Sequence, residues 1–87
     1  MAVGIEQAEE RGPLHVQIAN SLRSQIDRGE LAGGQRLPTT RDLAKDLGVS
    51  RSTVVRAYEQ LAREGRVEGR VGMGTVVRFV DLVLALP

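Results

Sequence analysis

The stretch LAKDLGVSRSTVVRAYEQL, residues 43 to 61, constrains the fold more than any other part of the chain. Two helical apolar patterns meet in it at a single glycine. Before that glycine, Leu43, Ala44 and Leu47 recur on one face of a short helix. After it, Val54, Ala57, Tyr58 and Leu61 share a face of a second helix. Gly48 is the stop between them, because a left-handed C-terminal residue costs glycine least. Val49 can pack beneath the turn. Ser50 is placed to cap the next helix by offering its hydroxyl to a free backbone N–H. Thr39 with Asp42 three residues later resembles a capping box for the earlier helix, with Asp in place of the usual Glu. Two short helices joined by a tight glycine-containing turn predict a helix-turn-helix.

The flanks complete the unit. Pro13 suits the first turn of a helix. Leu14, Ile18, Leu22 and Ile26 then recur at four-residue steps with Ala19 beside them, and Gly29 ends the stripe. Residues 30–38, ELAGGQRLP, read as a loop from which Leu31 and Leu37 dip into the core. Gly65 closes the last helix. Beyond it the period changes: Val67, Val71, Val76, Val77, Phe79 and Val80, with glycines at 69, 72 and 74, predict two short strands and a glycine-rich turn. The fold class expected is mainly α with a small β-hairpin, a winged helix-turn-helix of three helices and a two-stranded wing. Residues 1–12 are expected to be a flexible arm, 13–80 the domain, and 81–87, DLVLALP, a tail or the start of a linker.

Composition narrows the function. The chain of 87 residues suits one small domain, and with one Tyr and one Phe its core must be aliphatic. It has no cysteine, which excludes a disulfide framework and a thiolate metal site. No 18-residue apolar run exists to span a membrane, and the acidic N-terminus does not read as a secretory signal, so a cytoplasmic protein is expected. His15 lacks a partner of metal-ligating type and reads as a surface residue. No nucleophile–base pair or phosphate loop is present, and the GMG of the turn is followed by no helix, so no enzyme, cofactor or metal is expected. Charge is uneven. Residues 1–40 carry four arginines against five acids, whereas residues 41–80 carry eight cations against five acids. A basic half suggests a polyanionic partner; a solvated surface of mixed charge is the plainer reading.

In a helix-turn-helix the second helix lies in the DNA major groove with its first turn facing base edges. Here that turn is Ser50, Arg51, Ser52 and Thr53. Arg51 can bind guanine O6 and N7 in bidentate fashion, and Ser52 and Thr53 can reach phosphate or base. Arg41 and Arg56 can grip flanking phosphates. Arg70 lies on the wing, where Gly72 and Gly74 let the backbone approach a phosphate closely. Taken singly, a capping serine, a tight glycine turn, or an Arg41 paired with Asp42 needs no DNA.

The span LPTTRDLAKDLGVSRSTVVRAYEQLAREGRVEGRVGMGTVV resembles the N-terminal winged-helix domain of GntR-type bacterial transcription regulators. The matching positions are Leu37, Pro38, Thr39 and Arg41; Leu43 and Ala44; Gly48 to Arg51, Thr53 and Val54; Leu61, Glu64 and Gly65; and Gly72, Gly74, Thr75 and Val77. PLHVQIANSLRSQIDRGEL looks like the family's first helix. By resemblance, DNA contacts fall on Arg41, Arg51, Ser52, Thr53 and Gly72. Where many members carry arginine, this chain has Val55 followed by Arg56, and a one-residue shift turns a side chain about 100° round the helix. The run VVRAYEQL is similar to the MocR-like branch and compatible with the short branch. The resemblance implies a repressor that binds a palindromic double-stranded operator as a homodimer, with a small-molecule effector bound elsewhere. A winged helix that binds protein and has abandoned DNA is the alternative; it would show an exposed apolar patch in place of the basic face.

Overall fold

The computed structural model describes residues 12–79. The expected arm and tail therefore fall almost wholly outside the described residues. Element order is α1 (Leu14–Asp27), α2 (Thr40–Leu47), α3 (Arg51–Arg63), β1 (Val67–Arg70) and β2 (Gly74–Val77). This is the winged helix-turn-helix order that the periodicity predicts.

Each helix starts and stops for a local reason. Pro13 occupies the position before α1, and its carbonyl accepts from Val16 and Gln17 N–H. The Thr39 hydroxyl accepts from Asp42 N–H at 3.0 Å to open α2. Gly48 takes φ 70° and ψ 33° to close it, and its N–H and that of Val49 return to carbonyls of the last turn. Ser50 Oγ accepts from Thr53 N–H at 3.2 Å to open α3. Gly65, at φ 79°, follows the end of α3.

The core is aliphatic. Ala19, Leu22 and Ile26 of α1 meet Val54, Ala57, Tyr58 and Leu61 of α3, with Ala44 of α2 and Val67 and Val77 of the hairpin around them. Leu37 is buried and Leu31 half-buried, as the loop reading has it, and Val49 packs against the cluster beneath the turn. The small Ala44 lets α2 approach α3 closely. Tyr58 O–H donates to the Pro38 carbonyl at 2.7 Å, tying α3 to the strand-like segment before α2.

The strands pair antiparallel, Val67 opposite Val77 and Arg70 opposite Gly74. The loop before α2 does more than connect. Gly34 N–H donates to Val77 O, Val77 N–H to Gln35 O, and Leu37 N–H to Thr75 O, with an antiparallel bridge between Arg36 and Val76. This segment pairs with the free edge of β2, so the wing is braced by the loop between α1 and α2. Gly33 is needed there: a Cβ on it would come 2.7 Å from the Phe79 ring and 3.0 Å from the Phe79 Cα.

Three apolar residues depart from the expected pattern: Leu47, Val71, and Phe79, which lies past the end of β2 and is exposed. Leu47 shares the stripe of Leu43 and Ala44 but is 48% exposed. It closes an eight-residue helix and sits on the rim of an open groove of about 630 Å³ between α1 and α2, lined also by Leu14, Ile18, Leu43 and Val49. Val71 is fully exposed, because the strands stop at Arg70 and resume at Gly74, which leaves it in the turn.

Candidate nucleic-acid interface

The first turn of α3 points outward. Arg51 and Ser52 are exposed, Thr53 is half-buried, and Val54 one position on is fully buried. Helical geometry makes that switch, since successive side chains rotate by about 100°. The cap orders the hydroxyls. Ser50 Oγ lies 2.7 Å from Thr53 Oγ1 and 3.1 Å from Ser52 Oγ, besides accepting from Thr53 N–H. The N–H groups of Arg51 and Ser52 begin the helix and have no intrahelical acceptor. Ser50 is thus first of all the cap, and its hydroxyl organises the neighbours that face outward.

Arg51 is held by a residue that the sequence reading did not single out. Its Nε–H donates to Thr40 Oγ1 at 3.3 Å, across the turn between α2 and α3. This leaves both terminal nitrogens of the guanidinium free for a bidentate acceptor. No short-range pattern joins residues eleven apart, so only the tertiary crossing of the two helices brings this contact about.

The cations divide into two groups. Arg23, Arg28, Arg66, Arg70 and Arg78 each pair with a carboxylate. Among the described residues Arg36, Arg41, Lys45, Arg51, Arg56 and Arg63 enter no ion pair, and all six are exposed. Arg41 and Lys45 belong to α2 and Arg51, Arg56 and Arg63 to α3, so five of the six lie on the helix-turn-helix. Arg41 does not pair with Asp42.

The wing carries the remaining residues. Gly72 and Gly74 have φ 82° and 79°, and a Cβ on either would meet nothing within 4 Å. Backbone conformation, not crowding, selects glycine there, and the turn stands in open space. Met73 N–H closes it on the Arg70 carbonyl at 3.0 Å. Arg70 Nε donates to Glu68 at 2.7 Å, and Arg78 Nε lies 3.3 Å from the other oxygen of the same carboxylate. Glu68 is the second residue that the sequence reading passed over, although its i, i+2 spacing from Arg70 puts both on one face of a strand.

Among the described residues, His, Asp and Glu form no cluster of metal-binding type, and no helix is long and apolar enough to cross a membrane.

The family model described as "Bacterial regulatory proteins, gntR family" matches residues 14–77. The chain is 49% identical over 65 residues to the "Probable rhizopine catabolism regulatory protein MocR" of Rhizobium meliloti, a match that covers 75% of this chain and 13% of that protein. It is 47% identical over 66 residues to the "Mannosyl-D-glycerate transport/metabolism system repressor MngR" of Escherichia coli (strain K12), covering 76% of this chain and 28% of the relative. The chain thus spans a small part of these curated relatives. Of solved structures, YtrA from Sulfolobus acidocaldarius, a GntR-family transcription factor, superposes with a TM-score of 0.75 at 36% identity, covering 84% of this chain and 77% of that one. AraR(DBD) in complex with operator ORR3 gives a TM-score of 0.69 at 32% identity, over 75% of this chain and 78% of its own. With its three helices, its braced wing and a family match from the start of α1 to the end of β2, this chain belongs to the gntR family of bacterial regulatory proteins.

Proposed function

We propose that these residues form the sequence-specific, double-stranded DNA-binding domain of a bacterial transcription regulator. The observation that carries the reading is the first turn of α3, where an exposed Arg51 is steadied by Thr40 beside ordered Ser52 and Thr53 hydroxyls. Arg51 supplies base readout, since its fork matches guanine O6 and N7. Ser52 and Thr53 reach phosphate or base edge. Arg41 and Arg56 neutralise phosphates on either side of the helix, as unpaired exposed cations do. Gly72 and Gly74 bring the wing backbone near the duplex, with Arg70 at the end of β1 where the turn begins. Family membership supports the same reading, as does the likeness to AraR(DBD), which was solved with its operator.

The full regulator acts in the cytoplasm as a homodimer on a palindromic operator, with half-sites about one helical turn apart. Its effect is repression, relieved or enforced by a small molecule bound outside this domain. The domain itself is a binding module and not an enzyme.

Selection of bound duplexes from a random pool, followed by a salt titration of the winner, tests the reading. A defined half-site and a log–log salt slope steeper than about −3 are expected, at roughly −0.9 per phosphate contacted. Arg51→Ala should cost about 1–3 kcal/mol on the selected site and relax its specificity. Failure to enrich any sequence, or equal losses on selected and random DNA, would count against base readout by α3.

A further inference from the structure

The two wing arginines share one carboxylate. Glu68 lies opposite Val76 in the ladder, and Arg70 lies two residues further along β1 on the same face. Arg78, two residues beyond Val76, reaches the same carboxylate from just past the end of β2. Glu68 receives Arg70 Nε on one oxygen at 2.7 Å and has Arg78 Nε 3.3 Å from the other. The three side chains are 37–53% exposed, so water and other anions reach them. The wing therefore presents two cations already engaged by an anion, whereas α2 and α3 present theirs unpaired.

We propose that Glu68 competes with DNA phosphate for Arg70 and Arg78 and so holds down the sequence-independent affinity of the domain. The inference rests on the DNA-binding reading above. An exposed ion pair is worth little by itself, so a phosphate can displace the carboxylate. Displacement still leaves Glu68 as an unpaired negative charge beside the bound phosphate. The arginines thus contribute less than two free cations would. Binding to random DNA is almost wholly a count of phosphates neutralised, which makes it the quantity that such a competitor controls. A genome offers a vast excess of non-specific sites, so a lower background matters for finding the operator.

The test is fluorescence anisotropy of the 87-residue chain on a labelled random-sequence duplex at several salt concentrations. Glu68→Gln should bind more tightly than wild type, and its log–log salt slope should steepen by about 1–2. Between about 50 and 200 mM salt the variant should lose a further factor of about 4 to 16 relative to wild type. Glu68→Ala should move in the same direction, which guards against a folding defect in one variant. Adding Arg70→Gln and Arg78→Gln to Glu68→Gln should abolish the gain. Glu30→Gln, the same charge change at the Arg28 pair, should leave the slope close to wild type. An unchanged slope for Glu68→Gln, weaker binding by it, an equal gain from Glu30→Gln, or a gain that survives loss of both arginines overturns the proposal. Wild type that binds no duplex sinks the DNA reading itself; wild type that binds, with Glu68→Gln indistinguishable from it, sinks only the role of Glu68.

Discussion

Tyr58 shows how one residue serves two levels of structure. Its ring belongs to the buried face of α3, and its hydroxyl reaches out of that face to the Pro38 carbonyl at 2.7 Å. Removing the hydroxyl in Tyr58→Phe leaves that carbonyl without its partner and should cost about 1 kcal/mol in urea unfolding. Burial pushes the phenol up to about 12. A group whose pKa is raised by folding contributes stability that is intact below its unfolded value, about 10 for tyrosine, and that fades as pH rises through the folded value. Wild type should therefore lose stability from about pH 10 to 12, and Tyr58→Phe should flatten that alkaline fall. Tyr58 is the only tyrosine in the chain, so the effect has a single source. A parallel decline in both proteins would show that the phenol is not responsible. The sequence places Tyr58 on the inner face by its spacing; its hydrogen bond spans twenty residues and has no sequence signature.

At the scale of elements, caps and turns are the most legible features. Thr39, Gly48 and Ser50 act where the residue types indicate, because each satisfies a backbone group within three residues of itself. Gly48 offers a clean measurement. A Cβ there would meet nothing within 4 Å, so the whole penalty of Gly48→Ala is conformational. A left-handed alanine should cost about 1–2 kcal/mol, and Gly48→Asn less, since asparagine tolerates that region better. Chemical denaturation of the two variants checks the order; alanine milder than asparagine would refute it. Leu47 and Val71 mark the limit of periodicity. A stripe says which side chains share a face, but not how far the neighbouring element extends to cover it. The brace between residues 34–37 and β2 is equally illegible, since the stretch 30–38 around it, with two adjacent glycines and a proline, carries no strand pattern.

At the scale of the whole molecule, α1 is fastened to the far end of α3 and to the start of the wing. Arg23 donates through Nε and Nη2 to both oxygens of Glu64 at 2.7 Å, and Asp27 receives Arg66. These pairs join residues 41 and 39 apart in the chain. Hydrogen bonding from Arg23 holds the Glu64 carboxyl below the ordinary range. A lowered carboxylate contributes stability above its unfolded pKa and loses it as pH falls through the folded one. Glu64→Gln should lower stability by about 0.2–1 kcal/mol at neutral pH, and the gap should close in acid and narrow in salt. Melting curves at pH 7 and pH 3 check this; a constant gap in Tm would show that charge is not the cause.

The sequence by itself determined the three helices, the turn at Gly48, the wing and the outward first turn of α3. Those follow from periods and caps, which act between residues close in the chain. Tertiary structure alone decided which cations are free. It paired Arg23 with Glu64 and Arg66 with Asp27, spent Glu68 on the wing arginines, and set Thr40 against Arg51. A charge count sees the same arginines in every arrangement, whereas an ion pair exists only where the fold brings two side chains within reach.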